Sequence, residues 1–234
     1  MTRRATDRGH ARPLDHARCL RPEERERLRR HLEGQLALAQ AKGRWRDTRD
    51  ALFNLLLLAT GIRVTGACHL LRSDVQVDGA AREVRVRRSK GGKPAKVRLP
   101  LDLRDALGAF LLANPAADAE YPLFPGTRRT PTPMSRTTGW RRWKKALQDI
   151  GIDQPGRGCH SARHGLGLAL YKQTNDLRLV AAQLGHTDLR STMVYTAPLP
   201  EDVDKALDES WPHRTDGAHG SSHAPGSRVR ATAG

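Results

Sequence analysis

The sequence is poor in several residue types that mark secreted, metal-binding or membrane proteins. Aromatic residues make up 4% of the 234 residues, and only three cysteines occur, at Cys19, Cys68 and Cys159. Their odd number and wide spacing exclude a disulfide framework and favour a reducing, cytoplasmic location. Because no C-x-x-C pair occurs, no metal site is predicted.

Long hydrophobic runs are also missing. The longest, ALFNLLLLA over residues 51–59, is too short to span a bilayer. The N-terminal residues are charged and lack the apolar segment of a signal peptide. The sequence therefore predicts neither membrane insertion nor export.

Acidic residues are the third deficit, since 41 Lys and Arg face 25 Asp and Glu and leave a net charge of +16. The excess is clustered: residues 82–98 hold eight Lys or Arg and one acid, and residues 128–145 hold seven and none. Two such concentrations predict a phosphate-binding surface, with nucleic acid as the partner. The cations expected to contact the nucleic acid are Arg85, Arg87, Arg88, Lys93, Lys96, Arg136, Arg141 and Lys144.

Helical periodicity dominates what is present. Apolar residues recur at helical spacing through most of the chain, and helices are predicted to begin near Arg21, Asp47, His69, Asp102, Ser135, Cys159, Thr174 and Glu201. In the helix after Ser135, the predicted buried stripe is Trp140, Trp143 and Leu147. In the last helix, over residues 201–211, the apolar face is Val203, Leu207 and Trp211.

Two short segments alternate apolar and basic residues instead, as strands do. Val84, Val86, Val97 and Leu99 are predicted to face the core, and Gly91-Gly92 to form the tip of a hairpin. The sequence therefore predicts an α+β fold that is mostly α-helical, with a small antiparallel β-hairpin packed beside a helical core. Residues 1–18 are predicted to be a basic flexible arm, residues 19–212 the folded domain and residues 213–234 a disordered tail.

One set of polar residues has the chemistry needed to attack a phosphodiester. Two arginines can hold the non-bridging oxygens, a lysine or histidine can protonate the leaving oxygen, and a phenol can act as the nucleophile. His160 and Arg163 are spaced i, i+3 and so share a helix face. The complete set is Arg63, Lys90, His160, Arg163, His186 and Tyr195, and it requires no metal and no other cofactor.

These residues lie in segments that resemble the boxes of the tyrosine recombinases, also called phage integrases. The segments are ATGIRVTGACHLLRSDV with Arg63, RRSKGGKPAKVRLP with Lys90, HSARHG with His160 and Arg163, and LGHTDLRSTMVYT with His186 and Tyr195. Lys93 is the nearest rival of Lys90, and His164 is expected to be structural. A single helix is predicted between Gly185 and Tyr195.

The resemblance covers residues 20–211 and implies site-specific recombination. In this family a tyrosine attacks one DNA phosphate, releases a 5′-hydroxyl and keeps the bond energy in a 3′-phosphotyrosine, so no ATP is needed. Four protomers act around two duplexes. The resemblance also implies that the 201–211 helix docks on a neighbouring protomer.

Two departures from the family pattern keep a second interpretation open. Gly66 stands where the family usually has an acidic residue, and only about twenty residues precede the catalytic region, as in the short members or in a truncated integrase. The alternative function is a catalytically weak or silent DNA-binding protein that retains the recombinase fold.

Overall fold

The architecture was derived from a computed structural model of the chain. It describes residues 18–77, 82–87, 94–116, 118–128, 131–186 and 189–196, together with residues 203, 204, 207, 209 and 210. The predicted hairpin tip, with Lys90, Arg88 and Lys93, lies outside the described residues. The chain divides into a unit over Met1–Ala197 and a second over Pro198–Gly234.

The predicted α+β class is confirmed, with helices in the majority. The helices are α1 (Pro22–Ala41), α2 (Trp45–Thr60), α3 (Val64–Cys68), α4 (Leu101–Ala113), α5 (Arg136–Asp149), α6 (His160–Thr174) and α7 (Leu177–Leu184). The strands are β1 (Val75–Gln76), β2 (Glu83–Val86) and β3 (Ala95–Arg98), and short 3-10 turns span Arg72–Asp74, Leu189–Ser191 and Met193–Tyr195. None of the described helices combines the length and the apolar character needed to cross a bilayer.

Helix α2 is the centre of the core. It buries residues on every side, and α1, α4, α5 and α6 all pack against it. A helix with apolar residues on most of its sides is stable only when neighbours cover it in this way. It ends at Gly61, whose φ of 67° is the left-handed conformation that glycine adopts without strain.

The sheet lies beside this helical core in the antiparallel order β1-β2-β3, with Val84 paired to Val97 and Arg85 to Lys96. The valines are buried, as predicted, and Arg85 and Lys96 face away from the core. Helix α7 is attached to the sheet edge through Gln183, whose side-chain amide donates to Arg98 O and accepts from Arg98 N. This attachment fixes the end of α7, where His186 follows.

Three sequence predictions about helices were wrong in detail. Helix α2 begins at Trp45, two residues before Asp47. No helix spans residues 69–71, because Leu71 forms an isolated bridge with Pro122 and is therefore extended. The segment before Tyr195 forms two 3-10 turns instead of one helix, and the buried Thr192, whose hydroxyl contacts His186, lies between them.

The buried stripe of α5 was also predicted wrongly. Trp143 and Leu147 are fully buried, but Trp140 is 47% exposed. Gly139 takes the inward position, because a Cβ there would lie 2.8 Å from the ring of Phe53. The helix approaches α2 along this glycine and turns Trp140 outward.

Candidate active site

Two arginines are positioned by the break after α2. Arg63 precedes the first turn of α3 and is half-buried. Arg163 is 5% exposed, and its Nη1 donates to Gly61 O at 2.7 Å and its Nη2 to Leu184 O at 2.6 Å. The Arg163 side chain thus ties the ends of α2 and α7 to α6. A guanidinium has five N–H donors, so three remain after these two bonds.

The two arginines are close enough to act on each other electrostatically. Burial, followed by the charge of Arg63, lowers the pKa of Arg163 to about 10. This value keeps Arg163 cationic at neutral pH, so the pair presents two positive charges to an incoming anion.

The histidines around this pair are held neutral. Desolvation and then the charges of Arg163 and Arg63 lower the pKa of His186 to about 4. Desolvation, followed by the charges of Arg163, Arg63 and Arg136, also lowers the pKa of His160. The described groups that shift these pKa values are cations and another histidine, so no carboxylate among them offsets the arginines.

His186 follows the left-handed end of α7, as the sequence predicted. Gly185 has a φ of 62°, and a Cβ there would lie 2.9 Å from Ala95 Cβ. His186 Nδ1 lies 2.8 Å from the hydroxyl of Thr192. This contact orients the imidazole and links it to the segment that carries Tyr195.

Tyr195 lies against α6 and is 2% exposed. Its hydroxyl is 3.2 Å from His164 Nδ1, and its ring covers Gly167, where a Cβ would come within 2.5 Å of the Tyr195 Cζ. Burial raises the pKa of the phenol to about 12, although the charges of Arg163 and Arg63 oppose this shift. The phenol is therefore protonated at neutral pH and lies in the electrostatic field of both arginines.

His164 was expected to be structural and was not assigned to the site from the sequence. It forms the hydrogen bond to the Tyr195 hydroxyl, and its ring centre lies 6.2 Å from that of His160. Desolvation, then His160 and Arg163, lower its pKa to about 4. Its i, i+4 spacing from His160 places both on one helix face, which is the signal that identifies it.

A second residue that sequence reasoning missed is Arg25. This partly buried guanidinium donates to Ala162 O and Leu58 O, each at 3.1 Å. It holds the start of α6 against the end of α2, which brings the catalytic candidates of the two helices together. Its pattern in the sequence is that of any charged residue on α1, so no local signal identified it.

Gly66 occupies a confined position. A Cβ there would lie 3.2 Å from Val86 Cγ1 and 3.3 Å from Ile62 Cγ2. A longer acidic side chain would require these neighbours to shift. The packing around α3 is thus adapted to the glycine.

The cations predicted to contact DNA fall into two groups in the described part of the chain. Arg85, Arg136 and Arg141 are exposed. The others are engaged: Arg87 binds Asp74 and Glu120, Lys96 pairs with Glu83 at 2.7 Å, and Lys144 donates to Asp153 and to Arg157 O. The Lys96 side chain is 62% exposed, and an exposed ion pair contributes little stability, so Lys96 can readily exchange its partner for phosphate. The Asp74 carboxylate that binds Arg87 is 1% exposed, so moving Arg87 to phosphate would leave a buried charge unpaired. The Lys144 ammonium is directed inward.

Comparison with known proteins agrees with this geometry. The model of the phage integrase family matches residues 20–202. The chain is 32% identical to tyrosine recombinase XerA of Thermococcus kodakarensis over 69% of this chain and 55% of that protein. It is 31% identical to tyrosine recombinase XerD of Vibrio cholerae over 71% of this chain and 55% of that protein. The chain thus spans about half the length of the curated relatives that it matches.

Solved structures show the same fold. The crystal structure of XerA recombinase superposes with a TM-score of 0.62 at 24% identity, over 83% of this chain and 65% of that one. The crystal structure of XerH site-specific recombinase in a post-cleavage complex with its difH substrate superposes with a TM-score of 0.64 at 21% identity. The match covers 81% of this chain and 52% of that one. The chain belongs to the phage integrase family and has the fold of the tyrosine-recombinase catalytic domain.

Proposed function

We propose that this protein is a site-specific DNA recombinase that cleaves and rejoins strands through a 3′-phosphotyrosine at Tyr195. The observation that carries the proposal is the position of a buried phenol that is hydrogen-bonded to His164 and lies in the field of Arg63 and Arg163. Two cations suit the two non-bridging oxygens of a phosphate and stabilise the charge that develops on them during attack.

In the proposed step, the Tyr195 Oη–phosphorus bond forms as the bond from phosphorus to the 5′ oxygen breaks. The phenol passes its proton to the neutral imidazole of His164, whose Nδ1 lies 3.2 Å from the hydroxyl, and the departing 5′ oxygen gains one. The histidines of the site hold no extra proton at neutral pH, since their pKa values are lowered. They suit hydrogen bonding to the phosphate, and Lys90 is assigned as the proton donor from the family resemblance.

The tyrosine must move before it can react. Because its side chain is 2% exposed and its hydroxyl is bonded to His164, a phosphate can reach the oxygen only after the 189–196 segment shifts. We propose that DNA binding drives this shift through contacts with the arginine pair.

The decisive experiment is covalent capture on nicked duplexes with a randomised central segment, which traps the intermediate because the cleaved strand diffuses away. Tyr195→Phe should abolish the adduct that resists denaturant and leave DNA affinity within a few-fold, since only the attacking oxygen is lost. The matched control is Tyr171→Phe, because Tyr171 is a partly buried tyrosine on α6. This variant should retain the adduct. An adduct in the Tyr195→Phe protein would identify a different nucleophile.

The second candidate function is a DNA-binding protein with little or no catalysis. It is favoured by the buried phenol with a pKa of about 12 and by Gly66, which supplies no carboxylate where the family usually has an acidic residue. Retained DNA binding without an adduct in the unmodified protein would establish this function instead.

We further propose that the protein assembles as a tetramer on DNA through the 201–211 helix, with residues 1–18 as a basic arm, residues 19–212 as the catalytic domain and residues 213–234 as a tail. Val203 and Leu207 are helical, four residues apart and 40% and 59% exposed. Trp211 lies outside the described residues. The buried cysteines fit a reducing, cytoplasmic compartment.

Leu207→Ala combined with Trp211→Ala tests the assembly. The double variant should lose the complex of two duplexes on a native gel and keep binding to one duplex, because only the contact between protomers is removed. Normal recombination, or unfolding of the variant, would show that the helix does not link protomers.

A further inference from the structure

Trp140 is exposed because the packing of α5 leaves it no alternative. Successive residues of an α-helix are rotated by about 100°, so Gly139 and Trp143 share the inward face. A Cβ at Gly139 would lie 2.8 Å from Phe53 Cζ and 3.2 Å from Cys68 Sγ, and Trp143 is 0% exposed. Rotating α5 to bury Trp140 would move Gly139 away from Phe53 and would turn Trp143 out of the core. Its large apolar ring is therefore left 47% exposed.

The exposed ring lies at the edge of the candidate active site. Its Nε1 is 3.6 Å from the position that a Cβ on Gly158 would occupy, two residues before His160. Arg136, one helical turn before Trp140, is close enough to lower the pKa of His160. The indole therefore lies beside the site where the phosphate is expected.

The surroundings of the ring are cationic. Arg136 and Arg141 are exposed, and Lys144 Nζ lies 6.0 Å from the centre of the Trp140 ring. Residues 136–147 contain no acid. Among the described residues, none accepts a hydrogen bond from the indole N–H. An exposed aromatic ring between cations matches the surfaces on which proteins hold nucleic acids, where the cations bind phosphates and the ring contacts bases or sugars.

We infer that Trp140 is a DNA-contact residue that packs against the sugar and base edges next to the cleaved bond, while Arg136 and Arg141 bind the flanking phosphates. The inference rests on the proposed function only in taking DNA as the partner. A contact of this kind is non-ionic, so it contributes affinity without releasing counterions. Phosphate contacts, by contrast, make the affinity depend on salt.

Salt titration therefore separates the two kinds of contact. The probe is a labelled 30-base-pair duplex of mixed sequence, and its dissociation constant is measured by fluorescence anisotropy at a series of salt concentrations. Trp140→Ala should weaken binding about tenfold at every concentration, on the scale of removing one apolar side chain from a buried contact, and leave the slope of log K against log[salt] unchanged. Trp140→Phe should recover most of the affinity. Arg136→Ala should instead lower the slope by about one.

The matched control is Leu112→Ala, which removes an 84% exposed apolar side chain from α4 and should leave binding unchanged. If Trp140→Ala fails to fold, Trp140→Gln supplies a polar side chain for the exposed position and carries the same comparison. Unchanged affinity in these variants, or a lowered slope in place of a parallel shift, would overturn the inference. Absence of DNA binding by the unmodified protein would overturn the proposed function itself.

Discussion

At the scale of single residues, Arg163 combines two roles that the sequence could not separate. It fits the arginine of the predicted box, but its side chain also bonds the last carbonyls of α2 and α7. Arg63 differs, since no hydrogen bond joins its side chain to a described residue. The sequence predicted both arginines as phosphate ligands. A sequence motif identifies the residue at a position, but it does not show which backbone carbonyls the side chain will bond in the folded protein.

This difference predicts different outcomes for the same substitution. Arg163→Lys and Arg63→Lys should each lower adduct formation by at least about 10²-fold, because an ammonium cannot make the bidentate contact. Only Arg163→Lys should also lower the free energy of unfolding, by about 1–3 kcal/mol, because it leaves a buried carbonyl without its donor. Urea denaturation measures the second effect. Equal stability losses in the two variants would contradict the assignment.

The neutral histidines make a prediction about pH. The pKa values of His164 and His186 in the folded protein are about 4, below the ordinary value near 6.5. Between these values the unfolded chain binds more protons, so the free energy of unfolding must fall as the pH is lowered from about 6.5 towards 4. Above about 6.5 both states are neutral at these positions and the effect disappears.

The urea concentration at the unfolding midpoint, measured at pH 7.5, 6.0 and 5.0, follows this fall in stability. These pH values lie above the range in which most carboxylates titrate. The double variant His164→Asn with His186→Asn should show a smaller fall than the unmodified protein, because two of the titrating groups are gone. Identical pH dependence in the two proteins would show that these histidines are not held neutral.

At the scale of helices, the sequence predicts an element well where one pattern fits and poorly where two fit equally. The run ALFNLLLLA, with a helix start at Asp47 and a break at Gly61, predicts a buried helix at α2. On α5, the set Trp140, Trp143 and Leu147 forms a helical stripe, but so does the set Gly139, Trp143 and Leu147. The close approach of Gly139 to Phe53 decides between them, and this approach depends on the position of α2, which the local sequence of α5 does not contain.

Two glycines in helices provide a matched test of that packing. Gly139→Ala should destabilise the protein by about 1–3 kcal/mol, since its Cβ would overlap the Phe53 ring. Gly34→Ala, in the exposed middle of α1 with no atom within 4 Å of the new Cβ, should stabilise it by about 1 kcal/mol through helix propensity. Thermal unfolding of both variants shows whether each substitution raises or lowers the stability of the protein. A stabilising Gly139→Ala would mean that α5 does not approach α2 along this glycine.

At the scale of the whole molecule, the count of 41 Lys and Arg overstates the number of cations that are free to bind phosphate. Arg87 and Lys96 are paired with acids, and Lys144 is turned towards Asp153. Composition correctly indicates the class of partner, since the excess is clustered, but ion pairing is a property of the folded chain. The exposed cations of α5 and of the sheet are few. We therefore expect other parts of the chain to make phosphate contacts as well.

The N-terminal arm is one such candidate, because residues 1–18 contain five arginines and two acids. If they bind DNA phosphates, replacing Arg3, Arg4, Arg8 and Arg12 with alanine should lower the slope of log K against log[salt], by about 0.9 for each phosphate that is no longer neutralised. The control is removal of residues 213–234, which carry three arginines and belong to the predicted tail. A lower slope in the alanine variant alone would place the arm on the duplex. An unchanged slope would show that the arm does not contact DNA, and equal changes in both proteins would show that the slope reports overall charge.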